Sequence, residues 1–184
     1  MDLRLEIIDS MTQVDAAAWN VLAGDMPLLS HAFLCALETS GSVGEGTGWQ
    51  PCHMLVYGND QLLGAMPLYL KYHSYGEYVF DWAWAEAYQQ NGLQYYPKFV
   101  SAIPFTPITS QRLLAKNCEV QAFIVHALAD MLHQHQLSSA HILFPDNGSA
   151  EVLARAGWLQ RSLGQLQRLI QPSNVSPSDL LRQL

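Results

Sequence analysis

Five polar side chains crowd the stretch between residues 71 and 81: Lys71, His73, Ser74, Glu77 and Asp81. Tyr72, Tyr75, Tyr78, Phe80, Trp82 and Trp84 are interleaved with them or follow directly. Such density of titratable and aromatic groups is what a walled pocket with shifted ionisation requires. Glu77 or Asp81 is a candidate base, and His73 can take a proton near neutral pH. Lys71, Ser74 and Trp82 are candidate substrate contacts. The plainer assignment is that Asp81 caps a following helix, Glu77 pairs with Lys71, and His73 lies in a solvated loop.

A second group is Tyr95, Tyr96 and Lys98. A phenol such as Tyr95 can act as an acid toward a leaving group, and Lys98 can hold an anionic substrate group. Paired tyrosines at a strand entrance also serve packing alone. A third group is Phe105, Thr106, Thr109, Ser110 and Arg112. Its hydroxyls, loop amides and guanidinium can cradle the phosphate or carboxylate of a cofactor. The alternative is a proline-stiffened turn in which Arg112 is solvated or bonds a carbonyl. No metal is expected, because His133 and His135 are two apart on one helix and cannot face each other. Cys35, Cys52 and Cys118 form no C-x-x-C pair and read as reduced structural thiols.

The elements that must position these residues follow from periodicity. Residues 3–8 alternate as a half-buried strand. Helical patterns cover residues 13–22 and the stretch after Ser30, whose hydroxyl can cap the second helix. Gly41, Gly44, Gly46 and Gly48 make a flexible connection. Residues 52–57 and 61–72 read as two strands of a hairpin around Gly58, Asn59 and Asp60. A short helix is expected over residues 81–90 with a stop at Asn91 and Gly92. A strand over 99–103, a long helix over 119–135, a strand over 141–144 and a helix over 149–156 follow. Residues 159–170 read as a last strand or strand pair.

The chain has 184 residues, 49% of them hydrophobic, enough for one sizeable core. The formal charge is -7, and the nine Lys and Arg residues form no basic stripe, which argues against DNA or RNA as a partner. The acidic amino terminus lacks a signal-peptide pattern, and no stretch is apolar enough to span a bilayer. A cytoplasmic protein is expected. One α/β (α+β) domain over residues 1–171 is anticipated, with residues 172–184 a loosely held or truncated tail.

Several blocks between Pro67 and Arg112 carry a resemblance. They are Pro67 to Lys71, His73 to Ala85, Ala87-Tyr88, Tyr95 to Lys98, and Pro104 to Thr109, with weaker likeness from Ser30 to Leu34, Gly48 to Pro51 and on to Phe144. They resemble the FemAB-like family of predicted N-acyltransferases, linked to peptidoglycan biosynthesis or recognition. That resemblance implies an acetyltransferase (GNAT)-like mixed central sheet flanked by helices. It implies direct attack of an amine on an acyl donor, acyl-CoA or aminoacyl, with no tightly bound cofactor and acyl-CoA as co-substrate. The chain departs from the family at Ser110, where a glycine is usual, and lacks the glycine-rich loop that cradles coenzyme A. It also lacks the family's aromatic strand and second GNAT-like half beyond Gly164. The alternative expectation is therefore a non-catalytic recognition or dimerisation half that pairs with a second half or another copy.

Overall fold

The alternating run near the amino terminus needs a partner for its apolar face and finds one in the hairpin. A computed structural model describes residues 2–161. In it β1 (Arg4–Ile8) lies antiparallel to β3 (His53–Gly58), which pairs with β4 (Gln61–Met66). Asn59 and Asp60 both take positive φ, 49° and 61°, the backbone twist that a two-residue hairpin turn requires. The short strand β7 (Leu114–Ala115) completes a sheet of order β1-β3-β4-β7.

A second four-stranded sheet has the order β2-β5-β6-β8, from β2 (Trp49–Pro51), β5 (Tyr69–Lys71), β6 (Lys98–Ser101) and β8 (Ala140–Ile142). The β6–β8 pair is parallel and every other strand pair among the described residues is antiparallel. The run 61–72, expected as one strand, is thus two strands in different sheets. Pro67 has no N–H for a ladder, so pairing lapses there. The groups left over at the bend find other partners. The amide of Leu68 donates to Nδ1 of the buried His53 at 3.1 Å, and Ser101 Oγ donates to the carbonyl of Pro67 at 2.7 Å. The amide of Cys52 donates to the carbonyl of Leu68 at 2.9 Å and ties the two bends together.

Helices cover both faces of the first sheet. On one side α1 (Ala16–Ala23), α2 (His31–Thr39) and the turn Pro27–Leu29 between them bury Trp19, Leu22, Leu29 and Leu34 against Leu55, Ala65 and Leu114. Ser30 caps α2 as expected, its hydroxyl accepting from the amide of Phe33 at 3.3 Å. On the other side α4 (Cys118–Gln134) packs Val120, Ile124 and Leu128 against Met54, Val56 and Met66, and α5 (Asn147–Arg155) adds Leu153. Alternate residues of β3 and β4 therefore feed two cores. Gly64 permits the close approach of α4: a Cβ there would lie 2.4 Å from a methyl of Val120.

The remaining helix, α3 (Trp82–Gln90), buries none of its residues. β6 and β8 end earlier than expected, at Ser101 and Ile142, because the loop 104–112 enters between the chains that leave them. There the Ser110 amide donates to the carbonyl of Phe144 at 3.2 Å and the Asp146 amide to that of Ser110 at 3.0 Å. Of the final strand expected over 159–170, residues 159–161 are not in a strand and the rest lies outside the described residues, as does the tail. Among the described residues the result is a mixed α/β architecture of two sheets and five helices. No helix among them is long and apolar enough to cross a membrane.

Candidate functional site

Lys71, the last residue of β5, stands directly opposite Lys98, the first residue of β6. Like charges on facing positions of adjacent strands repel, and both side chains are fully buried. The pair is tolerated because the connection between the two strands folds back and delivers two carboxylates. Lys98 Nζ donates to Glu77 Oε2 at 2.8 Å and to Asp81 Oδ2. Asp81 also accepts from Tyr95 at 2.7 Å and from Tyr96 at 2.8 Å, one phenol on each oxygen. His141 of β8 adds its ring, Nε2 lying 3.3 Å from the Tyr95 hydroxyl and Nδ1 3.5 Å from Lys98 Nζ. Residues from two strands, β6 and β8, and from the segments before and after α3 thus meet around a single ammonium.

Lys71 points the other way along the same layer. Its Nζ donates to the carbonyl of Tyr75 at 3.1 Å and sits 3.7 Å from the centre of the Trp49 ring, a cation–π contact. Trp49 Nε1 donates to the same carbonyl at 3.1 Å, so the loop after β5 is pinned from below by two donors.

The electrostatics separates the two carboxylates. Burial raises Glu77 above the ordinary carboxylate range, and Lys98 only partly offsets this. Burial acts on Asp81 in the same sense, but hydrogen bonds from Lys98, Tyr95 and Tyr96 outweigh it and hold the group low. Burial, with the second ammonium nearby, brings Lys71 down to about 7, Glu77 offsetting only part of the loss. His141 is lowered to about 4, by burial first and by Lys98 second. Tyr96 is pushed up to about 12, by burial first. Glu77 Oε1 and Ser74 Oγ are buried with no hydrogen-bond partner, as are His53 Nε2 and His73 Nδ1 among the described residues. Buried polar atoms without partners are rare, because each carries an uncompensated desolvation cost.

The residues expected from sequence divide as follows. Glu77, Asp81, Tyr95 and Lys98 come together, with Lys71 and Ser74 beside them. Glu77 pairs with Lys98, and Asp81 stands at the start of α3 without a side-chain bond to its amides. Tyr95 donates its hydroxyl hydrogen bond to Asp81 and not outward, and burial with that contact pushes the phenol far up. His73 lies apart, its ring flush against Gly48, where a Cβ would come within 2.1 Å of Nε2. It lines an open groove of about 200 Å³ with Gly44, Gly46, Gln50 and Tyr72. Trp82 is on the surface of α3, 4.8 Å from the ring of Phe80.

The cofactor-loop expectation meets a different arrangement. Arg112 is fully buried and donates through Nε to the carbonyl of Leu143 at 2.8 Å and through Nη2 to that of Ile108 at 2.9 Å. Its Nη1 donates to the carbonyls of Ser110 and Gln111 and to Ser110 Oγ. Arg112 and Ser110 therefore hold the loop shut from inside and do not face an incoming phosphate. Thr106 Oγ1 bonds the carbonyl of Pro104 at 3.1 Å, and Thr109 is exposed. Phe105, at φ 59°, lays its ring 5.5 Å from that of Trp49.

Sequence reasoning named neither His141 nor Trp49 as a site residue. His141 carries no local signal, since its partners Tyr95 and Lys98 are more than forty positions away. Glu77, Asp81 and His141 place ligand atoms within 4.8 Å of one another, a spacing that suits a cation, and the Lys98 ammonium occupies that place.

Comparisons with known proteins agree with the resemblance read from residues 67–112. A crystal structure of wild-type TTHA1254 from Thermus thermophilus is similar in fold, with a TM-score of 0.50 and 12% identity over 92% of this chain and 98% of that one. No curated protein matches the chain. The model of the FemAB-like family, described as peptidoglycan biosynthesis/recognition, matches residues 10–184, and the chain belongs to that family.

Proposed function

We propose that this domain is an N-acyltransferase acting on a primary amine of a cell-wall precursor, with Glu77 as the base. The observation that carries this reading is Glu77 Oε1: a buried, unpartnered carboxylate oxygen on a group whose proton affinity is raised. The acceptor enters as an ammonium or amine and donates to this oxygen. Glu77 takes its proton, the amine nitrogen attacks the acyl carbon, and the carbon–sulfur or ester bond breaks. An acceptor that enters as an ammonium gives one proton to Glu77 before attack and a second to the displaced thiolate or alkoxide as nitrogen becomes an amide; one that enters as a neutral amine loses a single proton to Glu77, which passes it to the leaving group. Asp81 does not touch the reacting atoms in this scheme. It holds Lys98, Tyr95 and Tyr96, and through Lys98 it fixes the other oxygen of Glu77.

The donor is proposed to be acyl-CoA or an aminoacyl ester, in a cytoplasmic setting. A second reading is favoured by the closed loop at Arg112: a recognition half that binds the amine-bearing precursor without turnover. The test uses acetyl-CoA and a muropeptide with a free primary amine. Wild-type protein is expected to form the amide, and Glu77→Gln to lower kcat about 10²–10⁴-fold with an unchanged far-ultraviolet spectrum. Equal activity in the variant sinks the assignment of the base. Muropeptide binding that raises the melting midpoint with no amide formed selects the recognition reading.

A further inference from the structure

The groove beside His73 takes no part in the proposed transfer, and its lining has one consistent character. Gly44, Gly46, Gly48, Gln50, Tyr72 and His73 surround about 200 Å³, with no Lys, Arg, Asp or Glu side chain among them. Glu45, between two of the glycines, is exposed. Burial first and the Lys71 charge second lower His73, so its ring is neutral at pH 7. A phosphate finds no cation here and an ammonium finds no anion, so the occupant that the groove suits is uncharged. Gly44, Gly46 and Gly48 all take positive φ, 123°, 76° and 75°. A Cβ on Gly44 or Gly46 would meet only open space, so the loop keeps its shape without filling the groove.

Three features narrow the kind of neutral molecule. His73 Nδ1 is buried with no hydrogen-bond partner, and a neutral imidazole nitrogen can donate or accept according to its tautomer. Gln50 brings a carboxamide with both capacities. The Tyr72 ring is 53% exposed, and Tyr75, 65% exposed, meets the His73 ring edge-on with centroids 5.0 Å apart. Neutral polar groups beside exposed aromatic rings match a molecule with C–H bonds on its faces and hydroxyls around its rim, which is a pyranose. An extended peptide is suited less. Gly44 bridges Trp49 antiparallel, its amide donating to the Trp49 carbonyl at 2.9 Å, and so covers the edge of β2 that an added strand would need.

We propose that this groove is a saccharide subsite, in which one neutral pyranose ring stacks on Tyr72 and bonds Gln50 and His73 Nδ1. The inference rests on the reading of a cell-wall precursor for the origin of the ring, but its test does not need acyl transfer. The N-acetylglucosamine trimer, which carries no primary amine, is titrated into the nitrogen-15-labelled full chain. Saturable shifts of the Gly44, Gly46 and Gly48 amide signals and of the Gln50 side-chain signals are expected. Tyr72→Ala is expected to weaken binding about tenfold, the worth of one aromatic contact, while Tyr72→Phe and Glu77→Gln bind as the natural chain does. No shift at millimolar trimer, shifts confined to other residues, or undiminished binding by Tyr72→Ala overturns the proposal. Loss of binding in Glu77→Gln assigns the trimer to the buried cluster and overturns it too. Trimer binding with no amide formed from the muropeptide sinks acyl transfer and leaves the groove standing, and amide formation with no trimer binding does the reverse.

Discussion

The fold encloses two buried cationic centres, and they are built in opposite ways. Arg112 is surrounded by neutral carbonyls of its own neighbourhood, on residues 108, 110, 111 and 143, together with one hydroxyl. Each of its three nitrogens has an acceptor, and the planar fork locks a loop whose backbone would otherwise lack donors. Lys98 is surrounded by charged and titratable groups brought from residues 77, 81 and 141, and the set leaves Glu77 Oε1 and Ser74 Oγ unsatisfied. The first centre is saturated within the chain, whereas the second keeps two buried oxygens without a partner. A saturated partner set accounts for Arg112 as architecture, and the unsaturated set around Lys98 is what makes that cluster the candidate site.

Three substitutions sharpen that contrast. Arg112→Ala removes every bond of the first centre at once, leaving its carbonyls buried without donors. It is expected to cost about 3–5 kcal/mol of stability in urea titration. A loss below about 1 kcal/mol would show that the loop reorganises and that the centre is not architectural.

Lys71→Met tests the second centre through pH. The folded state lowers Lys71 from 10.5 to about 7, so between those values the unfolded chain holds more protons at this position. By linkage the natural protein gains stability from Lys71 as pH rises from about 7 toward 10.5, and the buried charge weighs against it in full below that window. The variant is expected to melt higher than the natural protein at pH 6, with the difference shrinking across pH 7–10. A difference independent of pH breaks the account of Lys71 as a desolvated ammonium.

Tyr96→Phe removes one of the two phenols on Asp81 and is expected to cost about 1 kcal/mol, the worth of one partly buried hydrogen bond. A loss of several kcal/mol would mean that Asp81 depends on Tyr96 more than on Lys98.

The sequence makes some of this legible and hides the rest for physical reasons. The long helix α4 and the hairpin turn at Asn59 and Asp60 are readable because their determinants are local, a 3.6-residue period and two positions of positive φ. The crowding of Lys71, Ser74, Glu77 and Asp81 is readable as well, since those residues are neighbours in the chain. Which groups pair is not. Lys71 is only six positions from Glu77, but β5 and β6 put Lys98 closer to that carboxylate, and strand register is a long-range property. The bend at Pro67 is hidden inside an unbroken apolar run, and only the missing amide of proline betrays it. Arg112 looked outward in sequence because nothing local shows that the carbonyl of Leu143, supplied from across the fold, would turn it in.

The facing of Lys71 and Lys98 has a consequence for what the centre can admit. With Lys71 protonated and both carboxylates ionised, the two lysines and two acids carry no net charge, so an amine arriving as a third cation would leave unbalanced charge in a buried space. Lys71, poised near neutrality, can restore the balance by surrendering its own proton. The cluster then behaves as a proton inventory with one removable unit, and on the acyl-transfer reading an acceptor that enters uncharged needs no such adjustment. On that same reading the uncharged amine is also the form that attacks a carbonyl, so the charge arithmetic of the two lysines favours the nucleophile.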